Sequence, residues 1–361
     1  MRNYTGKTIF IGLDVHKNSY SISVICEGSL IKKDKIVADP TILLSYLRKF
    51  KGANIESAYE AGFSGFHLHR ILIKNGIKNI IVNPASIEIS ARDVVKTDKR
   101  DSFKIASQLS VGKLSCIYIP TESREGKRNL TRLRKNLIRK RARASNQIKS
   151  LLHLHGMIPA FSKQKISTKY IMNILKVKIP PNLQFNIEVL FEEWRFLNLQ
   201  IKKVTNQISL QMEEDSKLEE IYTSIPGIGS TSAHIMINEL DDTLQFSNEN
   251  KLFSYAGLTP REHSSGEHKR QGHISRLGKP IIRSTLVECS WKAIKTDASL
   301  NEIYERIRKR RGKKIAIIAI ARILLGRIRT CIKQDRLYYS NLNETKEEVK
   351  KKAKKQTKKA A

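Results

Sequence analysis

Three β-rich segments open the chain, and they restrict the available folds more than any other feature of the sequence. Residues 8–13, 19–25 and 30–37 are rich in residue types that favour strands, and only short polar turns separate them. The turn at 27–29, Glu-Gly-Ser, is the clearest hairpin signal. We therefore predict a three-strand meander at the start of the fold.

Helices and strands alternate after the meander. The pattern predicts a helix over residues 40–51, a strand over 54–60, a helix over 64–76 and a strand over 77–84. Strands that alternate with helices favour parallel pairing. We therefore predict a mixed α/β domain over residues 1–115.

The middle of the chain, residues 116–215, is basic and helical in pattern. Two apolar runs recur near the spacing of a coiled coil: Leu130, Leu133, Leu137, Ala144, Ile148 and Leu151, and then Leu190, Trp194, Leu197, Ile201, Val204 and Ile208. They predict a long antiparallel helical hairpin, broken around Pro159 and at residues 179–182. An intramolecular bundle and a dimerising coiled coil both satisfy this spacing.

Residues 216–336 are predicted to form a mostly helical domain with Gly- and Ser-rich loops. Within it, SIPGIGSTSAHIMINEL (224–240) fits a helix-hairpin-helix, in which Gly227 and Gly229 let backbone N–H groups approach phosphate. A glycine turn between two packed helices gives the same pattern. Residues 337–361 are rich in Lys, and we expect a disordered tail with sequence-independent affinity for phosphates.

The charge of the chain indicates its class of partner. Lys and Arg number 67 against 34 Asp and Glu, which gives a net charge of +33 and a pI near 10.1. Self-repulsion on this scale is most simply tolerated against nucleic-acid phosphates. An anionic membrane is the competing partner, but no apolar run approaches the roughly 18 residues of a span, and no signal peptide is recognisable. We expect a cytoplasmic protein that binds nucleic acid and no membrane.

The cysteines carry no signal for a disulfide framework or a zinc site. The chain has four of them, far apart and without a C-x-x-C pair: Cys26, Cys116, Cys289 and Cys331. We expect ordinary reduced side chains.

Four acidic residues of the first domain suggest a metal site. Asp14 ends the first strand and Glu60 ends a later one, so folding can bring both to one edge of the sheet. Asp98 and Asp101 share a face if their segment is helical, because residues three apart are neighbours on a helix. Four converging carboxylates need cations, and Mg²⁺ prefers oxygen ligands and bridges to substrate phosphate.

A structural alternative exists for the second pair of acids. Asp98 can cap its helix, and Asp101 can form surface ion pairs with Lys99, Arg100 or Lys104. Such pairs are common and weakly stabilising.

Two serines lie in a strongly basic segment, REHSSGEHKRQGHISRLGK (261–279). Ser264 and Ser265 occupy a turn closed by glycine, and the cations around them are Arg261, His263, His268, Lys269 and Arg270, with Arg276 and Lys279 further along. A serine among so many cations could attack a phosphodiester, because positive groups stabilise the developing oxyanion. The alternative is a pair of turn serines in a loop that contacts phosphate.

Two groups of short sequence motifs carry a family resemblance. The order of strand-Asp, three-strand meander, strand-Glu and helix-Asp resembles the RNase H-like (RuvC-type) nuclease fold. The words IGLDVHKNSYSISV, YEAGFSG, VNPASI and KTDKRDSFKIA resemble the DEDD transposases of bacterial insertion-sequence family one hundred and ten. The later words SIPGIG, FSYAGLTPREHSSG and ISRLGKPIIRSTLVECSW resemble the second domain of the same family, so the resemblance covers nearly the whole chain.

The resemblance implies a Mg²⁺-dependent DNA transposase or recombinase. It maps the family's four acids onto Asp14, Glu60, Asp98 and Asp101, with Ser102 where the family word often has Ala. It points to Ser265 as the nucleophile that forms a covalent serine–DNA intermediate. It further implies a site shared between protomers of a dimer or tetramer, a structured guide RNA that pairs with element ends and target DNA, and activity at the bacterial nucleoid.

Two other functions are compatible with the same residues. A RuvC-like structure-selective endonuclease would use the carboxylates with water and no serine. A non-catalytic nucleic-acid-binding relative would be expected to have lost an acid or the serine, and none is lost here.

Overall fold

The computed structural model describes residues 4–84, 87, 98–157, 165–262 and 271–339. The chain separates into two compact units, Met1–Ile119 and Pro120–Ala361. The predictions for Pro159, for the two serines Ser264 and Ser265, and for residues 340–361 of the expected tail fall outside the described residues.

The first unit contains a five-stranded sheet, formed by β1 (Thr8–Val15), β2 (Ser19–Cys26), β3 (Ser29–Val37), β4 (Asn54–Glu60) and β5 (Lys78–Val82). The strand order is β3-β2-β1-β4-β5. β2 pairs antiparallel with both β1 and β3, whereas β4 runs parallel to both β1 and β5. The predicted meander and the predicted parallel pairing are both confirmed.

The hairpin between β2 and β3 has a two-residue turn. Glu27 and Gly28 have φ values of 50° and 75°. Two successive positive φ values match the twist of the flanking strands, which is why such turns dominate short hairpins. The predicted hairpin at 27–29 is confirmed, with Ser29 already in β3.

The two faces of the sheet pack against different helices. Ile9, Ile11 and Leu13 of β1 are completely buried, in a core that includes Leu43 of α1 (Pro40–Leu47) and Leu72 of α2 (His67–Lys74). The helix α3 (Asp98–Ser110) contacts β1, β2 and β4. Because side chains alternate along a strand, α3 lies on the face opposite to this core.

Two long helices dominate the first half of the second unit. α4 (Glu122–Leu154) pairs with α6 (Pro181–Met212), and the short α5 (Thr168–Leu175) lies between them in sequence. Arg134 Nε donates to Thr205 Oγ1 at 2.8 Å, and Arg141 Nη1 donates to Asn198 Oδ1 at 2.9 Å. Later residues of α4 thus meet earlier residues of α6, which confirms the predicted antiparallel hairpin within one chain.

The remaining elements of this unit form a helical core with a small sheet. The helices are α7 (Ser216–Thr223), α8 (Ser230–Leu240), α9 (Glu249–Tyr255), α10 (Pro280–Thr296), α11 (Ala298–Arg311) and α12 (Lys313–Lys333). Strands β6 (Pro260–Glu262) and β7 (Gln271–Ile274) pair antiparallel. The predicted, mostly helical domain is confirmed, but the two strands were not predicted, because strands this short and polar carry no apolar pattern.

Two further expectations can be compared with the structure. All four cysteines are free thiols, with Cys116 exposed and the other three buried. In the part of the chain that is described, no helix has the length and apolar character to cross a membrane.

Candidate active site

Asp14 and Glu60 lie side by side at one end of the sheet. β1 and β4 are parallel, and their register pairs Leu13 with Tyr59. Asp14 and Glu60 are the next residues of the two strands, and Glu60 is the last residue of β4. The register therefore brings these two predicted acids together on the same face of the sheet.

Helix α3 covers the face on which Asp14 lies. Gly12 shares that face, and a Cβ atom there would lie 2.0 Å from the Ser102 carbonyl oxygen and 2.4 Å from the Ala106 backbone nitrogen. Ser23, which pairs with Gly12 across β1 and β2, has its hydroxyl 3.0 Å from that of Ser102. The helix rests directly on β1 because glycine permits this close approach.

A histidine flanks the first acid. His16 Nε2 lies 2.9 Å from Asp14 Oδ2, and 20% of the Asp14 side chain is exposed. The carboxylate is thus held on one side and still reachable from solvent. Sequence reasoning did not include His16 among the predicted site residues, because a residue at such a position more often bounds a turn than contacts substrate phosphate or a metal-bound water.

The other two acids lie on α3, as predicted. Asp98 is the first residue of the helix, and its side chain is outside the described part of the structure. Asp101 Oδ1 lies 3.8 Å from Lys104 Nζ, one of the ion pairs of the structural alternative. A long pair of this kind, about a quarter exposed, contributes little stability.

Among the described side chains, no group of three or more His, Cys, Asp or Glu could hold a metal ion. Asp14, Glu60 and Asp101 therefore do not form such a group by themselves, and the side chain of Asp98, the fourth predicted acid, lies outside the described residues. Convergence of all four acids therefore stays a prediction. The structure brings Asp14 and Glu60 together on the face that α3 covers.

The predicted serines lie in the connection between two paired strands. Glu262 at the end of β6 pairs with Gln271 at the start of β7. The intervening residues are outside the described part, and they include His263, Ser264, Ser265, His268, Lys269 and Arg270. Arg261 is exposed, and its Nη2 donates to the Ser275 carbonyl at 3.5 Å.

Two further predicted nucleic-acid contacts follow β7. Arg276 has a φ of 57°, the left-handed region that side-chain-bearing residues seldom adopt. Lys279 Nζ lies 5.8 Å from the centre of the Tyr255 ring, and burial lowers the pKa of this amine. A phosphate beside Lys279 would favour its charged form.

The two glycines of the predicted helix-hairpin-helix have different surroundings. Gly227 has a φ of 86°, and a Cβ there would lie 2.4 Å from the Cys289 carbonyl oxygen and 2.6 Å from the Ala293 backbone nitrogen of α10. Gly229 precedes α8, with no atom within 4 Å of a Cβ and no side-chain cap. Gly227 therefore serves helix packing, whereas Gly229 leaves the start of α8 open.

Several cations at the start of α4 are engaged inside the second unit. Arg124 donates two hydrogen bonds of 2.9 Å to Asp215, and Lys127 donates one of 2.8 Å to the same carboxylate. Arg132 donates two to Glu239, whose side chain is completely buried. Sequence reasoning missed this use of the basic helix, because the acids lie far along the chain.

Comparison with known proteins matches two regions of the chain, and the first match extends beyond Ile119 into the second unit. The family model DEDD_Tnp_IS110, described as a transposase, matches residues 11–157, and the model of the transposase IS116/IS110/IS902 family matches residues 219–305. The chain belongs to the IS110 family of transposases. All four predicted acids fall within the first match and Ser265 within the second. The IS110-family chain is thus an enzyme that cleaves and recombines DNA.

Individual transposases are similar to this chain over most of their length. The transposase for insertion sequence element IS1533 of Leptospira borgpetersenii is 26% identical over 306 residues, which cover 79% of this chain and 85% of the relative. The transposase for IS1328 of Yersinia enterocolitica is 25% identical over 78% of this chain and 82% of its own. The transposase for IS1111A of Coxiella burnetii is 22% identical over 71% of each.

Proposed function

We propose that this transposase moves an insertion sequence by Mg²⁺-dependent strand cleavage and exchange, with a serine–DNA intermediate. The observation that carries the proposal is the placement of Asp14 beside Glu60, on the face covered by α3. That helix bears Asp98 and Asp101, the other two acids of the proposed set. The order of strand-Asp, meander, strand-Glu and helix-Asp supports an RNase H-like (RuvC-type) fold for this unit.

The donor set fits a divalent cation. Two carboxylates side by side repel each other unless a cation or a proton intervenes, and Mg²⁺ favours carboxylate oxygen. Their positions are fixed by a strand ladder rather than by loops, which suits a site that must hold its geometry. When bound, Mg²⁺ would neutralise charge on the substrate phosphate and act as a Lewis acid.

Ser265 is the proposed nucleophile. Its oxygen attacks phosphorus and forms a phosphate ester, while the departing DNA oxygen leaves as a hydroxyl that takes up the serine proton. The reverse reaction with a different strand end regenerates the serine, so strand exchange needs no added energy source. Paired strands β6 and β7 hold both ends of the serine segment, and Arg261 at its start is exposed.

Covalent trapping tests this assignment. Full-length transposase, end-labelled element DNA, Mg²⁺ and the RNA transcribed from the element flanks are mixed and separated on a denaturing gel. We expect a protein–DNA adduct with the wild type and with the matched control Ser264→Ala, and none with Ser265→Ala. An adduct that persists in Ser265→Ala removes the assignment. Cleavage without any adduct indicates an endonuclease that uses water.

The proposed partners are element and target DNA and a structured guide RNA. A basic surface at the junction of α11 and α12 supports nucleic-acid binding, since its cations are exposed and have no acidic partner among the described residues: Lys309, Arg310, Arg311, Lys313 and Lys314. By contrast, the neighbouring Arg308 is paired with Glu305 at 2.6 Å. Guidance by RNA rests on the family resemblance, and bacterial cytoplasm at the nucleoid is the corresponding location.

A homo-oligomer, dimer or tetramer, completes the proposal. Helix α6 carries exposed apolar side chains on positions of a coiled-coil repeat: Phe185, Val189, Phe196, Leu199 and Leu210, each at least 50% exposed. A second copy of this helix would cover them. We expect Phe196→Glu with Leu199→Glu to lower the mass measured by light scattering, and Lys202→Glu, which is exposed on the same helix but outside that repeat, to serve as the control.

A further inference from the structure

A buried serine hydroxyl that has no hydrogen-bond partner among the described residues lies next to Asp14. Ser21 pairs with Asp14 across the antiparallel strands β1 and β2, so both side chains are on the face that α3 covers. Ser21 is 1% exposed, and within the described part of the chain its Oγ makes no hydrogen bond. Buried polar groups are nearly always paired, so this exception needs a physical reason.

The next serine on the same strand face provides a comparison. Ser23 is equally buried, and its hydroxyl is satisfied by Ser102 of α3 at 3.0 Å. Ser23 therefore helps to seat the helix. Ser21 makes no such contact with any residue that the structure describes, although an apolar side chain would fill the same space without an unsatisfied hydroxyl.

We propose that Ser21 is a positioning residue for the Asp14 carboxylate. Its hydroxyl donates a hydrogen bond to Asp14 when a divalent metal is bound, and thereby fixes which oxygen faces the metal. His16 Nε2 already lies 2.9 Å from Asp14 Oδ2, so the carboxylate would be held by both residues. Partners that orient a ligating group raise metal affinity. The inference rests on the proposed function, because it requires Asp14 to bind the metal.

Direct metal binding tests the role of Ser21 without relying on activity. Mn²⁺ is titrated into the full-length transposase, and free Mn²⁺ is followed by electron paramagnetic resonance, with Asp14→Asn as the background. We expect Ser21→Ala to weaken Mn²⁺ binding by about 10- to 100-fold and Ser21→Thr to restore most of it. Ser23→Ala is the matched control, and it should leave Mn²⁺ affinity unchanged even if it lowers stability.

The outcomes separate the inference from the proposed function. If folded Ser21→Ala binds Mn²⁺ as tightly as the wild type while Asp14→Asn binds it weakly, the proposed role of Ser21 is wrong but the proposed metal site stands. Equal binding by wild type and Asp14→Asn overturns the proposed metal site as well. If circular dichroism shows that Ser21→Ala is unfolded, Ser21→Cys replaces it, because a thiol keeps the approximate size and is a weak donor.

Discussion

The hydroxyls of Ser23 and Ser102 lie 3.0 Å apart in the interior between β2 and α3. Ser102 directly follows Asp101, at a position where transposases that resemble this one often have Ala. Both serines are almost completely buried. The departure at Ser102 is therefore matched by a partner on the strand beneath it.

A double-mutant cycle should measure this pairing. Ser23→Ala and Ser102→Ala each leave one buried hydroxyl without this partner, so each should lower the free energy of unfolding by about 1 to 3 kcal/mol. The double variant should lose less than the sum, with a coupling of about 1 kcal/mol in urea unfolding. Strict additivity would show that the hydroxyl contact contributes nothing.

Gly12 sets the distance between α3 and the sheet. Gly12→Ala would force a Cβ against the backbone of Ser102 and Ala106, so we expect a loss of about 3 kcal/mol or more and no strand cleavage. Gly126→Ala is the control, since Gly126 lies in α4 with open space around it. Gly126→Ala should raise the free energy of unfolding by about 0.5 to 1 kcal/mol, because alanine favours a helix over glycine. Wild-type stability in Gly12→Ala would contradict the close packing.

Gly227 and Gly229 should respond differently to alanine. Gly227→Ala combines a positive φ with a clash against α10, and we expect a marked loss of thermal stability. Gly229→Ala meets no atom within 4 Å, so the fold should persist while affinity for duplex DNA falls at low salt. Thermal unfolding and fluorescence anisotropy on both variants provide the comparison. Unchanged DNA affinity in Gly229→Ala would remove the proposed phosphate contact.

The carboxyl of Asp215 should give a pH signature to the second unit. Burial alone would raise its pKa, but hydrogen bonds from Arg124 and Lys127 outweigh burial and lower the pKa below the ordinary value. A carboxyl whose pKa is lower in the folded than in the unfolded state stabilises the fold, and this stabilisation is complete at pH values above the unfolded-state pKa. It is lost as the pH falls through the folded-state pKa.

Asp215→Asn should therefore lower the free energy of unfolding at pH 7 by about 3 kcal/mol. The difference from wild type should shrink as the pH falls below about 4, because the unfolded chain then takes up a proton at Asp215, and it should be lost once the folded protein is protonated there at a lower pH. Urea unfolding of wild type and Asp215→Asn at several pH values measures this difference in the free energy of unfolding. A difference that stays constant down to the lowest pH would argue against the ion pairs.

Local pattern was sufficient for most elements of the first unit. The strand predicted over 54–60 is β4 at Asn54–Glu60, and the helix predicted over 64–76 is α2 at His67–Lys74. These elements have apolar patterns and turn residues of their own. The pair β6 and β7 was missed because its residues are polar, and it exists through cross-strand pairing.

The roles of the cations were likewise predicted only in part. The net charge indicated a polyanionic partner, but it could not distinguish between two groups of cations. Arg124 and Arg132 bind acids inside the second unit, whereas the cations at the junction of α11 and α12 are exposed. That distinction depends on which acids the folded chain places opposite each helix.

The amino-acid sequence by itself determined the order of the elements in the first unit, the family resemblance and the identity of the candidate acids, and its charge indicated a polyanionic partner. Only the tertiary structure decided that Asp14 stands beside Glu60, that Gly12 seats α3 on β1, and that Ser21 is buried next to Asp14. The physical reason is the separation in sequence of the interacting residues. Helix and strand propensities depend on residues close in the chain, whereas strand register and the packing of a helix on a sheet depend on residues that meet only after folding.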